Sequence, residues 1–496
     1  MKKDRRNLVA IAMLLSNMMT GMDATIINTA LPAITSELEG LEYMGWIVAT
    51  YLLGLAVSTP LWSKFGEHQG NKKAYIYATI IFAIGAIFQG MASNIQWFII
   101  ARVIMGIGGG GMNTIPFIAF ADMYEDLTKR SQIIGLSAAL FSIASIIGPL
   151  VGGWIIDTLT WRLVFYLNVP VALLSITVLT IFYEDTKRNA SGKSVDYKGA
   201  ILLVVSLILI LTGIQRIGKS STALVILLLI LGIITILCLI DVDKKAEDPI
   251  IPSRLFSNKD LMIDYGLFII IWGSFVAITT YLPVWAQGVL GVSALIGGMT
   301  QIPGAITNII GSGSVSFFQS KSNKYLIVSV GIVSILLSFI CIIMSGQNTP
   351  FWLLLAAGGF EGFGSGVIYN VLLVNVQADA EKRDIPTATS LAYLLRVISQ
   401  TLMSSIYGII LNHALMNGIK KSHNTITMNM LTKLNSARSA KELPQTLLPS
   451  MRKILYTGYQ NIMLTGLTLI IISMVVIICM LVHYHRHNYG EKVKLE

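Results

Sequence analysis

The sequence predicts an all-α polytopic membrane protein, on three observations. Of 496 residues, 54% are hydrophobic and only 12% are charged, a balance foreign to ordinary soluble domains. Apolar runs of about twenty residues recur from end to end, each long enough to cross a hydrocarbon core of about 30 Å as a helix. These runs are continuous and do not alternate in segments of about ten residues, which excludes a closed β-barrel. The formal charge of +10 is accounted for by Lys and Arg in connecting loops. The expected partner is therefore the lipid bilayer, with no nucleic acid.

Fourteen segments qualify along the chain: 8–34, 43–63, 74–93, 96–121, 132–157, 163–183, 199–216, 222–241, 261–287, 293–318, 324–345, 350–377, 386–412 and 459–482. The first follows the basic start MKKDRR. Its apolar run continues past residue 30 with no small-residue cleavage site, so it reads as an uncleaved span and not a signal peptide. Loop charge gives the orientation. Lys2, Lys3, Arg5 and Arg6, then Lys64, Lys72 and Lys73, then Lys129 and Arg130, then Lys187, Arg188, Lys193 and Lys198 mark one side. The loop between the first two spans carries only Glu37, Glu39 and Glu42, and the one between spans three and four has no charge. Both termini are therefore expected in the cytoplasm. The stretch 413–458 holds Lys420, Lys421, Lys433, Arg438, Lys441, Arg452 and Lys453 on the opposite side. A loop of about 46 residues weighs little in this rule, and its amphipathic stretches are expected to fold as an external cap.

Several spans carry chemistry. In the first, MDATIINTALP (22–32) places Asp23 roughly fifteen residues, about 22 Å, beyond the inner end. Ser16, Thr20 and Asp23 share one helical face. A carboxylate at that depth is expensive and functional by default; the alternative is a hydrogen-bonding anchor near Thr25 and Asn28. In the fourth span, ARVIMGIGGGGMN sets Arg102 in the membrane with Gly106, Gly109 and Asn113 continuing its face. An intramembrane Arg needs an anionic or carbonyl partner, which leaves both a functional and a purely structural role open. Glycines 108–111 allow close helix packing. They form no phosphate loop, since no strand precedes them and no Lys-Ser follows. In the fifth span, Gly148, Pro149, Gly152 and Gly153 occur in GPLVGGWIIDTLTWRLVFYLNVP (148–170). Glycine admits a close neighbour and proline removes a backbone donor.

Spans seven and eight are rich in Leu, Ile and Val, carry no charge in their cores, and are flanked by DTKRNASGKSVDYK and DVDKKAEDPIIPSR. They read as lipid-facing. In the ninth span, Tyr281 and Trp285 near an outer end fit an interfacial belt or, alternatively, a ligand cage. Glu361 lies midway along the twelfth span in AAGGFEGFGSGVIYN and is expected to be the one deeply buried carboxylate of the second half. It is a place where a proton can bind and leave, or one partner of an ion pair with Arg396 of the thirteenth span, LAYLLRVISQTLMSS. Gly358, Ser365 and Tyr369 lie near its face. The 21 methionines suit a pliable pocket or ordinary packing. Cys238, Cys341 and Cys479 have no metal or disulfide spacing. The tail HYHRH reads as a basic flank at a membrane exit. No metal, cofactor or enzyme site is expected.

The GPxxGG run with its continuation Trp161, Arg162, Phe165, Asn168 and Pro170 resembles the fifth-helix antiporter motif of the major facilitator superfamily, in its fourteen-span drug:proton antiporter branch. MDATIINTALP is similar to that branch's LDxTIVNVALP, and the Arg102 segment to its RxxqG. LWSKFGEHQGNKK (61–73) resembles the superfamily's loop GxLaDrxGrk. There Glu67 stands for the Asp, Gly70 for the second Gly and Lys72 for the final base, while Ser63, His68 and Asn71 depart from the pattern. The resemblance implies two six-helix halves, 1–190 and 260–496 (the latter with the loop 413–458), and two additional helices within 191–259. It implies a conformational latch at Glu67, Gly70 and Lys72, and a role for Arg102 in proton transfer. With Asp23, Glu361 and Arg396 these form the candidate proton-coupling set. Thr20, Asn113, Tyr281, Tyr369 and Tyr393 are the candidate cavity residues. The expected function is proton-driven efflux of lipophilic cationic or zwitterionic drugs from the bacterial plasma membrane by a monomer with no cofactor beyond the proton gradient. Export of an endogenous lipid, peptide or metabolite is the alternative. A membrane scaffold has no need of such buried charges.

Overall fold

The computed structural model describes the chain apart from residues 1–2, 125–126, 185–195, 218–220, 247–254, 256–257, 320–323, 347–349, 381–384, 423–424, 435–438 and 496. Its described elements are helical. In the first part these are α1 (Lys3–Glu37), α2 (Met44–Gln69), α3 (Asn71–Gly90), α4 (Ile95–Met123), α5 (Leu127–Thr158), α6 (Trp161–Tyr166) and α7 (Asn168–Phe182). Then come α8 (Tyr197–Gln215) and α9 (Thr222–Asp243). The last part holds α10 (Lys259–Trp285), α11 (Ala294–Met299), α12 (Gln301–Gln319), α13 (Lys324–Ile343), α14 (Phe351–Asp379), α15 (Ile385–Lys421), α16 (Met428–Leu434) and α17 (Leu448–Leu495). Eleven helical runs among the described residues are long and apolar enough to cross a membrane. The apolar helices Ile143–Thr158 and Lys198–Ile214 are shorter. The tenth expected segment forms α11 and α12, where Gln301, Thr307, Asn308 and Ser312 lower the hydropathy.

Polar side chains start the helices where the sequence offers them. Asn94 accepts from Trp97 N ahead of α4, Thr160 from Arg162 N ahead of α6, and Asn258 from Asp260 N and Leu261 N ahead of α10. Such caps satisfy amides that have no intrahelical acceptor. Between α2 and α3 the chain reverses through Gly70 at φ +96°, a conformation that needs glycine.

Helices α1–α7 pack mainly among themselves, as do α10–α17. Helices α8 and α9 pack on each other, and α8 touches α2 and α15. Much of α9 is uncovered: Ile226, Leu227, Ile233 and Leu237 are exposed. An uncovered apolar helix in a chain of this composition faces lipid. The expected loop 413–458 is largely helical, because α15 runs on to Lys421 and α17 starts at Leu448. Between them Ile426, Leu431 and Leu434 are buried. Ser439 Oγ bonds Ser36 Oγ at 2.9 Å, which lays this segment over the end of α1. That end, remote from both termini, is called the distal face below.

Candidate functional site

Asp23 and Arg102 meet in the interior of the first half. Arg102 Nη1 donates to Asp23 Oδ2 at 3.2 Å, and both side chains are 1% exposed. Arg102 Nε donates to Ile47 O at 3.2 Å, and its guanidinium lies 4.4 Å from the Tyr51 ring centroid. The arginine thus has the anionic and the carbonyl partner together. A cavity of about 210 Å³ reaches Asp23 from the side of α6 and α7, lined by Met19, Met22, Ile26, Val164 and Asn168 among others. One turn before Asp23, Thr20 donates to Asn113 Oδ1 at 3.0 Å.

The GPxxGG run divides its work between two neighbours. A Cβ at Gly148 would stand 2.6 Å from Thr25 Oγ1, and one at Gly152 would stand 3.0 Å from the Ile26 side chain, so these glycines admit α1 of the same half. Gly153 faces the other half: a Cβ there would stand 2.5 Å from Leu295 Cα. Pro149 takes part too, since a Cβ at Gly298 would lie 2.8 Å from its carbonyl oxygen. One turn past Gly153, Asp157 accepts from Ala294 N at 3.0 Å and Leu295 N at 2.9 Å. A carboxylate of the first half therefore caps the start of α11 in the second, where free amides and the helix dipole favour negative charge. A second close approach joins α2 to α15, where a Cβ at Gly45 would stand 2.1 Å from Ser404 O. Gln287 Nε2 reaches Thr29 O across the halves at 3.1 Å. These contacts close the distal face.

In the second half, Glu361 is 5% exposed, and its Oε1 has no hydrogen-bond partner. It sits where glycines bring α12 and α14 together: Gly304 faces Glu361 Oε2, and a Cβ at Gly362 would fall 1.9 Å from Gly304 O. No ion pair joins it to Arg396. The Arg396 guanidinium instead faces three rings, with centroids at 4.8 Å (Tyr393), 5.0 Å (Tyr369) and 5.9 Å (Trp272). Tyr281 and Trp285 are fully buried, which corrects the interfacial-belt reading. Tyr281 packs on Tyr407 and Tyr459, with centroids 6.3 and 6.2 Å away, because α15 and α17 cover that face of α10. Of the loop motif, Lys72 Nζ donates to Thr180 O at 2.8 Å and Tyr183 O at 2.7 Å, tying α3 to the end of α7. Gly70 makes the turn, and the Glu67 side chain lies outside the described residues.

Two residues escaped the sequence reading. Asp264 is 1% exposed, so Glu361 is not the one buried carboxylate of the second half. It lies early in α10, where nearness to a loop disguised its burial. Asp157 follows the glycine motif directly, but nothing in the sequence marks its partner.

Two helical groups, α1–α7 and α10–α17, with charged side chains buried in their interior and close glycine contacts between them at one face, fit a membrane transporter. The family model described as Major Facilitator Superfamily matches residues 13–404, and the chain belongs to that superfamily, whose members are transporters and not enzymes. It is 30% identical over 423 residues to Multidrug resistance protein 3 of Bacillus subtilis (strain 168), covering 84% of this chain and 81% of the relative. It is 29% identical over 444 residues to the multidrug transporter protein MdtP of the same organism, covering 88% and 79%. Among solved structures it resembles a bacterial homologue of the human lysosomal transporter Spinster in an inward-facing, occupied conformation. The TM-score is 0.64 at 16% identity, with 97% of each chain covered, a likeness of fold alone.

Proposed function

We propose that this transporter is a proton-coupled efflux antiporter of the fourteen-span branch, exporting lipophilic cationic or zwitterionic compounds by alternating access. In this reading each chain carries a complete pathway, both termini are cytoplasmic, and the distal face opens outside the bacterial plasma membrane. The halves are 1–190 and 260–496, with two added helices between them. The observation that carries the reading is Glu361, buried in a glycine-lined contact without a cationic partner. A carboxylate so placed needs a compensating charge. A proton or a cationic substrate group supplies it, and the two compete. Exchange follows when their affinities differ between the two openings. The similarity to two Bacillus subtilis proteins named for multidrug resistance and multidrug transport supports drugs as substrates, and the 29% identity over 430 residues to a relative named efflux pump dotC supports the outward direction. The test is proteoliposome transport of ethidium under an imposed pH gradient. Native protein is expected to accumulate the dye against its gradient and Glu361→Gln to equilibrate it only. Equal accumulation by both would remove Glu361 from the mechanism.

A further inference from the structure

The two arginines inside the helix bundle are treated differently. Arg102 has its charge matched by Asp23 at 3.2 Å. Arg396 has no carboxylate partner among the described residues, and its Nε is buried with no acceptor. What surrounds it is flat: Tyr393 on its own helix, Tyr369 on α14 and Trp272 on α10. Phe268, itself buried, packs behind Trp272 with ring centroids 5.0 Å apart. Arg396 as a residue is half-buried, and Tyr393 packs against the cluster that holds Tyr51 of the first half. Arg396 therefore stands near the join of the two halves, among aromatic faces, with donors to spare.

Those ring faces would hold a lipophilic cation, but Arg396 already occupies them, and a second cation would meet like charge. An uncompensated guanidinium in low dielectric is costly. Its planar fork matches a carboxylate through two parallel bonds. We propose that Arg396 anchors an acidic group of the transported compound. The substrates of this protein then include lipophilic zwitterions whose planar aromatic body lies beside the partly exposed Tyr369 and Tyr393. This deepens the efflux reading above and rests on it for the fate of the bound compound. Within that reading it selects zwitterions over simple cations.

The test is calorimetric binding to the purified full-length protein with 2-naphthoic acid, its methyl ester and 2-naphthylmethylamine. The acid is expected to bind about tenfold or more tightly than the ester, the span of a charged hydrogen bond, and the amine most weakly. Arg396→Gln is expected to erase the preference for the acid with the ester unchanged. Arg396→Lys keeps the charge without the fork and should retain part of it. The ester's affinity reports the fold of each variant, and the native comparison needs no variant. Equal binding of acid and ester to native protein, or no binding of the acid, overturns the proposal. So does an equal loss of acid and ester in Arg396→Gln. Binding needs no proton gradient, so a native acid preference without pH-driven transport would sink the antiporter reading alone.

Discussion

Gly153→Ala is expected to loosen the closed distal face by a predictable amount. The added methyl would stand 2.5 Å from Leu295 Cα, 2.8 Å from Leu295 N and 3.1 Å from Ala294 C. Ordinary contacts begin near 3.4 Å, and backbone atoms cannot swing aside as a flexible side chain can. The halves must part locally by roughly 1 Å, a misfit of the kind that costs about 1–3 kcal/mol. Since the strain exists only in the closed arrangement, it changes the ratio of closed to open by a factor of about 5–150. The displaced amides are the ones Asp157 accepts from, so the same methyl weakens the cap. The assay is electron–electron resonance between nitroxides at Leu159 and Met344, exposed positions of the distal face on opposite halves (51% and 79%), with the three native cysteines replaced. Gly153→Ala should add a longer-distance population. Gly152→Ala is the control, because its methyl meets Ile26 of the same half at 3.0 Å; its distances should match native. Unchanged distances in Gly153→Ala, or equal shifts in both variants, would refute the reasoning.

Asp23→Asn leaves Arg102 buried without its anion and should cost about 3–5 kcal/mol, read as a lower thermal midpoint in detergent. Asp23→Asn combined with Arg102→Gln should cost less than the two single changes summed, and strict additivity would show that the pair is not an energetic unit. Asp157→Ala removes the cap on α11, worth about 0.5–2 kcal/mol, and should shift the distal distances in the same direction as Gly153→Ala; no shift would count against the cap. Gly362→Ala drives a methyl to within 1.9 Å of Gly304 O, whereas at Gly359 the nearest atom is 3.7 Å away. Thermal stability should fall in the first variant and barely change in the second, and similar losses would contradict the glycine contact between α12 and α14.

The helical architecture was legible because the bilayer permits few solutions: continuous apolar runs of spanning length in a chain this poor in charge become helices. The depth of Asp23 and Arg102 was legible for the same reason, since each interrupts such a run. Their pairing was not, because 79 residues separate them and only the packing of α1 against α4 brings them together. Tyr281 and Trp285 were misplaced because an aromatic at a helix end looks alike whether lipid or a neighbouring helix covers it; here α15 and α17 do. The ion pair between Glu361 and Arg396 was a reasonable expectation from two opposite charges on consecutive spans. In the structure Glu361 faces α12, while Arg396 faces the rings of α10 and α14, and no sequence pattern reports that rotation. Asp264 was hidden by its closeness to the start of α10.

Proton flux in energised inside-out vesicles, followed with a pH-sensitive dye, tests the account most directly. Lipophilic zwitterions and cations added to vesicles carrying native protein should dissipate the pH gradient, since each substrate moved releases a proton the other way. Glu361→Gln should leave the gradient intact under the same additions while the protein remains in the membrane. A gradient collapsed equally by native and Glu361→Gln vesicles, or by neither, would contradict proton exchange at this carboxylate.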